Sequence, residues 1–97
     1  MDVIVRGRNL PVPPRLRHTA QRKLGRLERL ARDVSWAEVR FTEERNPRIA
    51  DRHRCSVVVH RPRERLTAHA TGPAPETALD RALDKVRHQV AREKRRR

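Results

Sequence analysis

From residue 15 onward, the spacing of apolar residues changes twice along this chain of 97 residues, and each change separates helical from extended structure. Between residues 15 and 31, apolar side chains recur every three or four positions, as on one face of an α-helix. Between residues 35 and 71 they alternate with polar side chains, as in half-buried β-strands. Beyond residue 75 the helical spacing returns. This order of periods excludes all-helical and all-strand folds and predicts a mixed α+β domain.

Two helices are predicted, over about residues 14–32 and 75–95. Proline stands at positions 14 and 75, and it suits the first turn of a helix because no main-chain N–H is needed there. The first helix has its apolar positions at Leu16, Ala20, Leu24, Leu27 and Ala31. The second helix has them at Leu79, Ala82, Leu83, Val86 and Val90.

Four strands are predicted, over about residues 2–6, 35–44, 54–61 and 65–71. The last three have one apolar face each, so the sheet is covered on one side, and both helices should pack on that side. Phe41 falls on the apolar face and Trp36 on the other, where we interpret it as partial hydrophobic cover. A strand–helix–strand start implies a parallel crossover. The predicted fold is a two-layer α+β sandwich of order β-α-β-β-β-α, with a four-stranded sheet and both helices on one face.

Basic residues exceed acidic ones by 25 to 12, which gives a formal net charge of +13 and predicts a polyanionic partner, nucleic acid first. The excess is not uniform. Residues 15–32 carry seven basic residues and one acidic residue, a net charge of +6. Residues 81–97 carry eight basic and two acidic residues, also +6, whereas residues 33–80 are neutral. Nearly all of the excess charge therefore belongs to the two predicted helices.

Within each helix the cations recur at helical spacing, on the side away from the apolar stripe. The first stripe consists of Arg15, His18, Arg22, Arg26 and Arg29. The second consists of Arg81, Lys85, His88, Arg92 and Arg95. Such a face can simply be solvated, but like charges four residues apart destabilise a helix, which favours a use for them. If both helices cover the same face of the sheet, the stripes should form two parallel cationic ridges about 10 Å apart, suited to a nucleic-acid backbone.

The sequence offers little for other chemistry. The five histidines and Cys55 have no recognised metal spacing, three glycines make no phosphate loop, and no acid/base or nucleophile pair is apparent. We therefore expect no enzyme, no catalytic residue, no metal, no cofactor and no small-molecule substrate. With only one Trp, one Phe and no Tyr, a base-stacking platform is disfavoured. No apolar run suits a membrane span or a signal peptide, and the lone Cys55 agrees with a reducing compartment, so a cytoplasmic location is expected.

Short motifs along almost the whole chain occur in the order seen in one known family. The N-terminal part contains Arg6-Gly7-Arg8-Asn9, Pro14-Arg15-Leu16-Arg17, Lys23-Leu24 and Leu27-Glu28. The C-terminal part contains Ala68-His69-Ala70-Thr71-Gly72, Ala78-Leu79-Asp80, Asp84-Lys85-Val86, Gln89 and Lys94. Together they resemble the ribosome hibernation-promoting factors, also called ribosome-associated inhibitor A or sigma-54 modulation proteins.

This resemblance implies the same β-α-β-β-β-α fold, similar in shape to double-stranded-RNA-binding domains. It also implies binding to the small ribosomal subunit and its rRNA, in the channel that mRNA and tRNA occupy, which inhibits translation and promotes hibernation under stress. Residues 1–97 would then be a single ribosome-binding domain. Combining the resemblance with the two stripes, we predict that rRNA is bound by Arg15, Arg17, Arg22, Lys23, Arg26, Arg29, Arg81, Lys85, His88, Arg92, Lys94 and Arg95.

The chain also departs from the family pattern. Ala74 and Glu76 stand where the family usually has Asp and Tyr, and Pro13 replaces a common capping Thr, so both helix starts are expected to be weakly capped. The dimerisation domain of long members has no counterpart, which predicts a short form or an N-terminal domain. A free-standing binder of double-stranded RNA or DNA, without a ribosomal role, is the alternative. A protein-interaction module for an acidic partner is a weaker one.

Overall fold

The computed structural model describes the main chain of residues 1–95 and the side chains of residues 1–93. Its elements follow the order β-α-β-β-β-α, which confirms the predicted fold class. They are β1 (Asp2–Arg8), α1 (Pro14–Leu27), β2 (Trp36–Glu43), β3 (His53–His60), β4 (Arg65–Gly72) and α2 (Pro75–Arg95).

The strands form one mixed sheet in the order β1-β2-β3-β4. β1 pairs with β2 in parallel, as the strand–helix–strand start predicts, and the remaining pairs are antiparallel. The register places Val5, Val39, Val57 and Ala68 side by side in one row across the sheet. Because side chains alternate along a strand, this row defines the apolar face and the residues one position away belong to the opposite, open face.

Both helices pack on the apolar face. α2 lies over β3 and β4, while α1 lies over β1 and touches α2. The largest fully buried side chains are Phe41, Leu24, Leu79 and Leu83, which come from β2 and from both helices. Each stabilises the fold by about 1.5–3 kcal/mol through the apolar surface that it removes from water. The helix layer is thereby fixed on one side, which leaves the open face of the sheet to solvent.

Two element boundaries differ from the sequence expectation by two residues or more, and the others agree within one residue. β1 runs to Arg8 rather than to residue 6, because its parallel ladder with β2 continues through the pair Arg8–Thr42. α1 ends at Leu27 rather than at residue 32, because the next main-chain N–H groups bond to carbonyls three residues back, at 2.9–3.3 Å. This tighter turn still buries Ala31, which explains why its spacing looked helical. Pro13 makes no side-chain cap at the start of α1, as expected.

Candidate nucleic-acid interface

The exposed side of α1 carries a ridge of arginines. Arg15, Arg22 and Arg26 are exposed, and Arg29 is exposed in the turn that follows the helix. Among the side chains described, none of these four forms an ion pair. Guanidinium groups that are fully charged and free of carboxylates are available to bind phosphate oxygens, often with two hydrogen bonds each.

Two other basic residues predicted on α1 are engaged within the protein. The Arg17 Nη1 atom donates a hydrogen bond to the main-chain oxygen of Val5 in β1, at 2.8 Å. Lys23 is partly buried and forms an ion pair with Asp80 of α2. Arg17 therefore attaches α1 to the sheet, and Lys23 attaches it to α2.

The cations of α2 lie on a different flank from the one the sequence suggested. Three side chains spaced four residues apart donate to main-chain oxygens of the edge strand β4: Arg81 to Thr71, Lys85 to His69 and Gln89 to Thr67, at 2.8–2.9 Å. Asp80, which precedes them, faces α1 instead. The basic flank of α2 therefore follows the edge of the sheet and points away from α1.

The prediction of two parallel ridges side by side needs correction for this reason. Asp80 contacts α1 through Lys23, and Asp84, one helical turn further along α2, forms an ion pair with Arg87 at 2.8 Å. The α1 ridge and the basic flank of α2 belong to the same layer of the protein, but the Lys23–Asp80 ion pair lies between the two helices. Arg81 also lies 3.5 Å from Asp51, yet 52% of its side chain stays exposed.

The remaining predicted residues lie near the C-terminal end of α2. His88 and Arg92 are exposed, and neither has an ion-pair partner among the described side chains. Lys94 and Arg95 belong to the helix, but their side chains lie outside the described residues. The structure therefore describes the side chains of the basic flank of α2 only as far as Arg92.

Four further arginines, outside the set predicted from the sequence, lie on the open face of the sheet: Arg6, Arg8, Arg40 and Arg54. All four are exposed. Charge summed along the chain hid them, because Asp2 offsets part of the charge of Arg6 and Arg8, and the five acidic residues of segment 33–60 cancel its five arginines. Their positions in the alternating pattern of each strand are the signal that would have found them.

Trp36 lies at the opposite end of the open face and does not present a free ring. Its indole stacks on the imidazole of His60, with ring centroids 3.8 Å apart and an interplanar angle of 3°. The His60 Nε2 atom lies 3.2 Å from a carboxylate oxygen of Glu38. Trp36 is half-buried, and its ring covers the neighbouring His60 ring on this face.

Cys55, the one cysteine of the sequence, lies in the interior. Cys55 is fully buried, and desolvation raises the pKa of its thiol to about 12, which keeps it protonated and unreactive. Within the described part of the chain, no cluster of three histidine, cysteine or acidic residues is arranged to bind a metal ion. None of the helices described is long and apolar enough to cross a membrane.

Two solved structures have a fold similar to that of this chain. The fold matches a ribosomal subunit interface protein from Coxiella burnetii, with a TM-score of 0.84, 19% identity, and coverage of 97% of this chain and 98% of that chain. It also matches the Protein Y N-terminal domain of Thermus thermophilus, with a TM-score of 0.79, 27% identity, and coverage of 95% and 98%. No curated protein matches the sequence. The model of one protein family matches residues 3–97 and confirms the predicted resemblance. The chain belongs to the family described as sigma 54 modulation protein / S30EA ribosomal protein.

Proposed function

We propose that this protein binds the small ribosomal subunit in the channel used by mRNA and tRNA, and that it thereby inhibits translation and promotes ribosome hibernation. The observation that carries the proposal is the ridge of arginines on α1 that have no ion-pair partner among the described side chains, in a chain that belongs to a ribosome-associated family. The ribosomal subunit interface protein with the same fold supports it. The site of action would be the cytoplasm, where ribosomes translate.

The proposed mechanism is occupancy, and it needs no reaction. The guanidinium groups of Arg15, Arg22 and Arg26 would each neutralise an rRNA phosphate and release a condensed counterion. Arg81, Lys85 and Arg92 would do the same from the other flank of the helix layer. The body of the domain would then exclude mRNA and tRNA from the channel. If about six phosphates are neutralised, the logarithm of the affinity falls against the logarithm of salt concentration with a slope of roughly −4 to −5.

Co-sedimentation with purified small subunits at rising salt tests the proposal. We expect the protein to pellet with subunits at low salt and to be released along that slope. The failure of the protein to pellet with subunits at low salt would refute the proposed function.

A charge-reversed pair tests the surface itself. The variant Arg22→Glu/Arg26→Glu changes side chains that contact no described carboxylate, so it should weaken subunit binding without unfolding the domain. The variant Arg45→Glu/Arg48→Glu changes the charge equally on the exposed loop between β2 and β3, and serves as the matched control. Equal binding by both variants would show that the α1 ridge is not the interface.

Competition separates ribosome binding from generic affinity for duplexes. A ribosome factor should prefer small subunits over an equal mass of duplex RNA or DNA of unrelated sequence. A protein that distributes evenly between them would be the free-standing nucleic-acid binder instead.

A further inference from the structure

The open face of the sheet is divided into two halves of different character. In the half nearer to the start of β2, the register aligns Asp2, Trp36, His60 and Arg65 in one row. The next row is Ile4, Glu38, Val58 and Thr67. Both acidic side chains of the open face belong to these two rows.

The other half is purely basic and polar. One row aligns Arg6, Arg40, Ser56 and His69, and the row beyond it aligns Arg8, Thr42, Arg54 and Thr71. We call these eight residues the sheet patch. It carries four arginines and no carboxylate, although residues 33–60 are neutral as a segment. Adjacent strands lie about 4.8 Å apart, so the arginines are spread over roughly 10 Å, across three strands.

The arginines of the sheet patch are not used to hold the fold together. Among the described residues, none of the four forms an ion pair or a side-chain hydrogen bond within the protein. The nearest carboxylate in the register, Glu38, lies 3.2 Å from His60. Arg6 and Arg40 are direct neighbours across the β1–β2 pair, where like charges destabilise a sheet. An arrangement that opposes folding in this way indicates an anionic ligand.

The sheet patch also continues onto the helix layer. An open cleft over the β4 edge is lined by Arg54 and His69 of the patch together with Arg81 and Lys85 of α2. The cationic surface therefore passes from α2, around the edge strand, to the open face of the sheet, with one carboxylate beside it, that of Asp51 at 3.5 Å from Arg81.

We propose that the sheet patch is a second RNA-binding surface, which takes the phosphodiester backbone of an RNA segment distinct from the one on α1. This inference rests on the proposed function only for the source of the RNA, the small ribosomal subunit. The domain would then be held between two RNA segments, one on each layer of the sandwich.

The chemistry of the patch favours a phosphate backbone over other partners. The guanidinium group of arginine matches the geometry of phosphate oxygens. The hydroxyl groups of Thr42, Ser56 and Thr71 add hydrogen-bond donors on the same face of the sheet. No aromatic side chain other than His69 belongs to the patch, and the Trp36 ring is stacked on His60, so nucleobase stacking is not the main contact.

Neutralising three of the arginines tests the inference. We compare Arg6→Gln/Arg40→Gln/Arg54→Gln with a matched control, Arg45→Gln/Arg48→Gln/Arg63→Gln. The control removes the same charge from exposed residues of two loops. Both variants, made in the 97-residue chain, are titrated with salt against purified small subunits and, separately, against a 20-base-pair RNA duplex. Thermal unfolding of each variant checks that the fold is retained.

For the patch variant, we expect the slope of the logarithm of subunit affinity against the logarithm of salt concentration to be less negative by roughly 2. Each lost phosphate contact accounts for about 0.7–0.9 of that slope. The control should keep the slope of the unmodified protein. The inference is overturned if the patch variant keeps that slope, or if the control loses as much. If the unmodified protein does not bind subunits at all, the proposed function fails, and the same comparison on the RNA duplex decides the inference by itself.

Discussion

Gly25 offers a direct test of how α1 is stabilised. It lies inside the helix, is exposed, and has a negative φ like every glycine in the described residues, so an alanine adopts its conformation without strain. A Cβ atom placed there meets no atom within 4 Å. Glycine costs a helix about 0.5–1 kcal/mol relative to alanine, because the unfolded chain loses more freedom on folding. Gly25→Ala should therefore raise the free energy of unfolding by about that amount.

The assay is thermal unfolding followed by circular dichroism. For a domain of this size, about 1 kcal/mol moves the Tm by roughly 4–8 °C, so the expected increase is about 2–8 °C. The lower part of that range is favoured, because Gly25 lies in the last turn before α1 ends at Leu27. An unchanged or lower Tm would refute the reasoning, since it would mean that the backbone at this position needs the freedom of glycine.

Three further predictions concern the packing around Gly7, Arg61 and Cys55. Gly7→Ala should lower the Tm by several degrees in the same assay, because the new Cβ would lie 2.3 Å from the Leu10 main-chain oxygen; a stable variant would contradict this packing. Arg61→Ala should cost about 1–2 kcal/mol in urea unfolding, because a side chain only 5% exposed serves three carboxylates at 2.7–3.9 Å; an unchanged midpoint would exclude that role. Cys55 should resist a thiol reagent at pH 8 in the native protein and react fully in urea, because burial raises its pKa to about 12; rapid native labelling would contradict the burial.

The fold was predictable because hydrophobic periodicity marks each element and its buried face. The ends of the helices and strands were less predictable. Ala31 keeps the spacing of a helix that has already ended at Leu27, since the tighter turn that follows returns it to the core. A pattern of buried positions records which side chains reach the core, and not which hydrogen bonds the main chain makes.

The candidate interface was predictable only in part, for a physical reason. Helical periodicity gives the angle between a side chain and the apolar stripe, but it does not say what lies beside the helix. Asp80 and Arg81 are neighbours in sequence, yet one meets α1 and the other meets β4. Arg17 and Lys23 likewise look like free cations until their partners are known.

The sheet patch was hidden by a different limit. Alternation assigns Arg40 and Arg54 to the open face, but only the register shows that Arg6 stands beside Arg40. That register depends on a parallel pair joined through a helix, and no local sequence signal fixes it. The charges were visible in the sequence, while their arrangement required the tertiary structure.

The contacts from α2 to β4 have a consequence for the behaviour of the protein in concentrated solution. A sheet of four strands has two edges, and an edge with free main-chain groups can recruit a strand from another molecule. Arg81, Lys85 and Gln89 occupy carbonyl oxygens along one edge, and Arg17 occupies one on the other. These side chains thus occupy main-chain acceptors that a strand from another molecule would need for pairing. A substitution that shortens Lys85 or Gln89 should promote self-association even where the domain remains folded.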